Sequence, residues 1–360
     1  MTEDIRFFLP GPTYVREDVR AAMTQHPIGH RGAPFKALYA DVRSRLPGVF
    51  RTSGEVVLLT SSGSLAWDVA VASTIESSVL CCTNGAFSDR FLTVCRAWGK
   101  DADQLDFPHG APVDPDLIRQ ALRRKPYEAV TLAHNETSTG TLSDLASIAR
   151  TVREESDAMI YVDAVSSLAG CELETETWGI DYLFTGSQKA LALPPGLCFV
   201  TVSERALAKA REIEHRGYYT DLVRYYEKHV AGGTITTPAI PQIWALQAQL
   251  NAIESETMEK RWQRHSELRA KTEAWAERQG FTYLNQPDGA SPTVSCLRPP
   301  TGVEAPALVA ALAERGIVVG GGYGPLKPKT FRIGHMGEVR ARDLDALFAA
   351  IEEVVVELRS

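Results

Sequence analysis

Short apolar runs recur through the first half of the chain, at residues 56–59, 79–82, 129–132, 159–162, 182–184 and 198–202, each with polar or glycine-containing ends. Helical periodicity fills the stretches between them, which is the pattern of a βαβ alternation. Strands that are apolar on both faces predict a mostly parallel sheet covered on both sides, and such sheets bind ligands beyond the carboxyl ends of their strands. Past residue 202 the pattern changes to long charged helical stretches that run to about residue 278. Strands are then expected near 293–297, 317–319 and 330–333, with helices near 304–314 and 341–358. A glycine-rich turn, Gly320-Gly321-Gly322-Tyr323-Gly324-Pro325, lies among them. The expected fold class is α/β: a large domain over 21–245 with a mostly parallel central sheet, and a smaller α+β domain over 246–360, preceded by an N-terminal segment, 1–20.

Composition narrows the partners. A chain of 360 residues with 44% hydrophobic content can bury a full core. Its formal charge of −7 offers no basic field for nucleic-acid phosphates or anionic lipid. No apolar run approaches the length of a bilayer span, and Met1-Thr2-Glu3-Asp4 is acidic where a signal peptide is basic. The six cysteines, at 81, 82, 95, 171, 198 and 296, have no CxxC spacing. The expectation is a cytoplasmic protein with reduced thiols, acting on small molecules, with no nucleic-acid or membrane partner. The histidines, His134 and His335 included, have no ligand spacing with cysteine or acid, so no metal site is expected.

Three places carry candidate chemistry. Ser62-Gly63-Ser64 follows the run at 56–59 and opens a helical stretch, and the backbone N–H groups of a helix start suit a phosphate dianion. An ordinary N-cap is the plain alternative. Asp163 ends the run at 159–162, where a partly desolvated carboxylate needs a cationic partner; it is equally an N-cap for the next helix, or the partner of a protonated pyridine nitrogen. Lys189 stands just past the run at 182–184 among small and apolar residues, a setting that excludes water, lowers the amine's pKa and favours a nucleophile.

The segments Tyr-Val-Asp-Ala-Val-Ser-Ser (161–167) and Gly-Ser-Gln-Lys-Ala-Leu-Ala-Leu-Pro-Pro-Gly (186–196) resemble the class V aminotransferases of pyridoxal 5'-phosphate (PLP) fold type I, the aspartate-aminotransferase-like architecture. The spacing is most similar to the alanine–glyoxylate, serine–glyoxylate and serine–pyruvate group, from Leu9-Pro10-Gly11-Pro12 to Phe331-Arg332-Ile333-Gly334-His335-Met336-Gly337. The resemblance implies that Lys189 carries PLP as a Schiff base and that Asp163 pairs with the pyridinium. It implies Val165 and Phe87 against the ring faces, Ser62, Gly63, Ser64 and Gln188 around the phosphate, and Ser138 on the phenolic oxygen. It places residues 1–20 near the active site, and it implies a homodimer in which Thr236 and Thr237 reach the neighbouring subunit's phosphate.

Arg332 has the planar fork that captures an α-carboxylate in two bonds, or else satisfies backbone carbonyls. His30-Arg31 is matched either to a substrate-binding pair in phosphoserine aminotransferases or to an entrance-shaping pair in glyoxylate-type relatives. Trp67-Asp68 departs from the family's more usual small residue and glutamate, and Gly232-Gly233-Thr234 stands near where some glyoxylate enzymes have a tyrosine. The implied activity is transfer of an amino group from a small amino acid of the alanine or serine type to a 2-oxo acid such as glyoxylate or pyruvate. Phosphoserine–2-oxoglutarate transamination is the alternative; a lyase or desulfurase, or a non-catalytic PLP-binding protein, is a more distant one.

Overall fold

The computed structural model describes residues 6–360. The chain begins with a two-residue strand, β1 (Phe7–Phe8), and then lays down β2 (Val56–Leu59), β3 (Ser78–Thr83), β4 (Asp101–Asp106) and β5 (Ala129–Ala133). A small hairpin of β6 (Asn135–Glu136) and β7 (Thr141–Leu142) precedes β8 (Met159–Asp163), β9 (Tyr182–Gly186) and β10 (Cys198–Val202). The C-terminal third adds β11 (Thr282–Tyr283), β12 (Val294–Arg298), β13 (Val318–Gly321) and β14 (Phe331–Gly334).

The large sheet has seven strands in the order β2-β10-β9-β8-β5-β3-β4, and only β10 runs against its neighbours. Alternation along each strand feeds two cores: Val56 and Leu58 point to one face, Val57 and Leu59 to the other. Both faces are covered, so the strands carry no polar alternation and read as apolar runs. β4 is the exception. As an edge strand with the sequence Asp-Ala-Asp-Gln-Leu-Asp it is largely exposed, and its charges blunt a free sheet edge, which hides it from a search for apolar runs.

The second sheet runs β1-β13-β14-β12-β11, so the start of the chain supplies an edge strand to a sheet otherwise built from its end. Its core joins Phe8, Phe331 and Ile333 to Trp275 and Phe348, whose rings stack at 4.3 Å. The domain boundary expected at 245/246 falls within a continuous helix, Ile240–Glu256.

Arg261, on the Met258–Arg278 helix, has no solvent exposure. Its guanidinium donates to Glu256 (2.7 Å), to Glu338 (3.2 Å) and to the carbonyl of Ala190 (2.7 Å), immediately after Lys189. It thereby ties the C-terminal helices to the lysine loop. Arg261→Leu should destabilise the protein by about 3–5 kcal/mol in urea denaturation, because Glu338 is left as a buried charge without its main counter-ion. A loss within the scatter of surface substitutions would show that Arg264 and Arg340 carry the cluster without it.

Candidate active site

Strands β2, β3, β5, β8 and β9 run in one direction, and the segments leaving their carboxyl ends converge on a cavity of about 310 Å³. β2 leads to Ser62-Gly63-Ser64, β3 to Phe87, β5 to Asn135 and Thr137, β8 to Asp163 and Val165, and β9 to Gln188 and Lys189. Gly11 and Pro12 of the N-terminal segment, Trp67, Arg90 and Pro195 complete the wall. Lys189 is the only lysine among these lining residues.

Ser62 caps the Gly63–Thr74 helix with extended backbone geometry, yet no side chain caps that helix. The Ser62 hydroxyl and the N–H groups of Gly63 and Ser64 are therefore available on the cavity wall, and the helix dipole favours an anion there. A Cβ on Gly63 would lie 3.2 Å from Val165, so glycine permits the close passage of the helix start over the end of β8.

Asp163 is 5% exposed and takes one hydrogen bond, from the Val165 N–H to Oδ1 at 2.9 Å. Burial pushes its pKa up to about 7; the Val165 bond opposes this, and the nearby charges act in both directions, Glu136 raising and Lys189 lowering it. Lys189 is 7% exposed, and burial, reinforced by the Arg332 charge, brings its amine down to about 8. Its Nζ donates to the carbonyl of Pro10. Thr13 braces the same loop from the N-terminal segment, with its hydroxyl 3.0 Å from the Lys189 carbonyl and its N–H 3.1 Å from that of Gln188.

Phe87 presents its ring to the cavity 5.9 Å from Lys189 Nζ. Behind it, the fully buried Glu136 accepts from the N–H groups of Phe87 (3.1 Å) and Ser88 (3.0 Å), at the start of the Ala86–Ala97 helix. Ser138 is turned to this same carboxylate, donating to it at 2.6 Å and accepting from the Ala86 N–H at 3.1 Å; it is absent from the cavity wall, where Thr137 stands instead. Arg332 lies just beyond the wall. Its Nε donates to Gly321 O (2.9 Å) and Nη1 to Thr137 O (3.3 Å), while Nη2 has no partner among the described residues.

His30, Arg31, Thr236 and Thr237 are brought together, but elsewhere. They line a separate cavity of about 490 Å³ with Lys36 and Lys228, which shares no residue with the Lys189 cavity. His134 and His335 are buried, and burial takes them down to about 4 and about 3, so both are neutral core imidazoles.

Sequence reasoning passed over Glu136, Arg90 and Tyr323. Arg90 donates to the Tyr323 hydroxyl (2.9 Å) and lies 5.2 Å from the Phe87 ring centroid, and Tyr323 packs on Phe87 at 5.5 Å. The spacing of Phe87 and Arg90, three apart on one helix, was the available signal.

A family model described as aminotransferase class-V matches residues 17–342. A Synechococcus protein named soluble hydrogenase, small subunit, is 35% identical over 99% of this chain and 94% of its own. An L-aspartate–glyoxylate aminotransferase from Paracoccus denitrificans is 31% identical, over 99% and 93%. Among solved structures, an aspartate aminotransferase of subgroup IV from Thermus thermophilus superposes with a TM-score of 0.91 at 32% identity, covering 98% of this chain and 100% of that one. Among the described residues no three histidine, cysteine or acidic side chains form a metal-ligand set, whereas the Lys189 cavity has the donors that PLP needs: a desolvated amine, a buried carboxylate short of a cation, and an uncapped helix start.

The raised pKa of Asp163 has a consequence for the cofactor-free protein. Its neutral form is favoured by folding, so the stability it allows is complete below about pH 4 and is lost as the pH rises to about 7. Cofactor-free Asp163→Asn should match the parent's stability near the acid end and exceed it increasingly up to neutrality in denaturant titrations. A constant difference across that range would mean that the carboxyl titrates normally.

Proposed function

Because this chain belongs to the class V aminotransferases and is a PLP-dependent transaminase, we propose that Lys189 is its catalytic lysine, and that it moves an amino group from a small amino acid to a 2-oxo acid such as glyoxylate. The observation that carries the reading is the placement of one desolvated lysine and one desolvated aspartate on a single cavity at the carboxyl ends of the parallel strands. The relatives named for glyoxylate and for aspartate support the substrate class and add aspartate to the donors worth testing.

PLP supplies a conjugated ring that takes up the electron pair released at the substrate's α-carbon. Asp163 holds a proton on the ring nitrogen: a carboxylate that burial alone destabilises gains the cation it lacks. Ser62, Gly63, Ser64 and Gln188 would hold the phosphate at the helix start, and Phe87 and Val165 would hold the ring. Lys189, with its amine brought down to about 8, has a substantial neutral fraction near neutral pH; that amine would hold the cofactor, and it is the group on the cavity wall that would move the substrate's α-proton as base and acid. Arg332 takes the substrate carboxylate with its unpartnered Nη2, next to Thr137 on the cavity wall. Ser138 acts at one remove, through Glu136 and the Phe87 loop.

The active unit of this reading is a homodimer in which Thr236 and Thr237 complete the neighbouring subunit's phosphate site and His30-Arg31 flank its substrate. Their own cavity gathers four basic side chains and three threonines, a set suited to anions, with no acid among its lining residues.

Borohydride should fix PLP to the parent protein and not to Lys189→Ala; attachment at another lysine would overturn the assignment. The visible band of the bound cofactor should fade with alanine, serine or aspartate and return with glyoxylate. Asp163→Asn should slow that fading by at least about two orders of magnitude while PLP stays bound. Mixing Lys189→Ala subunits with Thr236→Ala/Thr237→Ala subunits should restore activity to one site per mixed dimer, and no recovery under subunit exchange would confine the threonines to their own chain's site.

A further inference from the structure

Trp67 stands one turn into the Gly63–Thr74 helix, on the cavity wall, and is 3% exposed. Its indole is clamped edge-on by Phe184 at 6.0 Å and tilted against Phe91 at 6.3 Å, with the Arg90 guanidinium 5.5 Å from its centroid. The ring is thus fixed from three sides. Its Nε1–H is nevertheless buried with no hydrogen-bond partner. Buried indole N–H groups usually find one, and leaving a donor unmet is costly; Trp244 and Trp262 share the lack, but only Trp67 is on the cavity wall.

The acceptor at hand is Asp163. The indole N–H lies near enough to contribute a small lowering of the carboxyl's pKa, although it falls short of a closed hydrogen bond. Asp163 has room for it: Oδ1 takes only the Val165 N–H, and no lysine or arginine forms an ion pair with the carboxylate among the described residues.

We infer that Trp67 is a positioning residue for Asp163, donating its indole N–H to the carboxylate in the PLP-loaded enzyme and so holding it ionised and aimed at the ring nitrogen. Two donors, the Val165 N–H and the indole, then fix the carboxylate from the protein side, and the pyridinium meets a preset acceptor. A hydrogen bond to the charged form favours that form, so the indole strengthens the attraction that retains the cofactor. The inference rests on the PLP reading above.

The test is a double-mutant cycle on cofactor affinity, read by equilibrium dialysis of PLP, together with the visible spectrum of the bound cofactor. Trp67→Phe keeps the aromatic packing and removes the donor. In the parent background it should weaken PLP binding about tenfold, the size expected for one hydrogen bond to a charged group. It should also shift the visible band in the direction that Asp163→Asn shifts it, by less. In the Asp163→Asn background the same substitution should have little effect on either readout.

Equal losses in both backgrounds, or no loss in the parent, would overturn the role. Trp67→Leu covers a phenylalanine variant that fails to fold, and failure of both would assign Trp67 to core packing. A parent protein that binds no PLP would instead sink the functional reading itself, so the two failures are distinguishable.

Discussion

The structure turns on two opposite charges held out of water. Asp163 ends β8 and Lys189 follows the neighbouring parallel strand β9, each is almost fully buried, and burial moves each toward its neutral form. Neither side chain would be kept there for stability, since desolvation of a carboxylate or an ammonium outweighs the attraction recovered at a distance. The cost is carried by the seven-stranded sheet, whose two cores cover both of its faces. A parallel sheet also explains why they meet: strands running in one direction deliver all their exits to one edge.

That edge was visible in the sequence because the sheet is buried on both faces. Strands β2 and β10 match the apolar runs to the residue, and β3, β5, β8 and β9 match to within two. Asp163, Lys189 and Ser62 to Ser64 were legible for the same reason, as polar residues placed where apolar runs stop. β4 was not, being charged and exposed, and neither was the two-residue β1, which is too short to carry a period and pairs across more than three hundred residues with β13.

Contacts among elements distant in sequence were equally silent. No local pattern says that the Pro10 carbonyl accepts from Lys189, that Glu136 holds the N–H groups of the Phe87 loop, or that Tyr323 of the glycine-rich turn reaches Arg90. The glycines there do have a physical reason: a Cβ on Gly320 would lie 2.9 Å from the Pro10 ring, and one on Gly334 would meet the Leu9 backbone. They let the N-terminal segment pass between the small sheet and the lysine. A turn that reads as mere punctuation borders the seat of the segment whose Pro10 carbonyl accepts from Lys189.

The site draws on two parts, the large sheet and the small one. The large sheet's edge and the uncapped helix start belong to the first. Arg332, Tyr323 and the Leu9–Pro12 segment belong to the second, and all three hang on the small sheet, through β14, the turn after β13, and β1. Arg332 is bound to that sheet by Gly321 and to the β6–β7 loop by Thr137, so one guanidinium bridges both parts while keeping a donor in hand. Any shift of the small sheet therefore moves Arg332 relative to Lys189, whose amine its charge already disfavours in the protonated form. An anion placed on Arg332 would lessen that effect and return basicity to Lys189, which couples the arrival of a carboxylate to the proton affinity of the amine beside it.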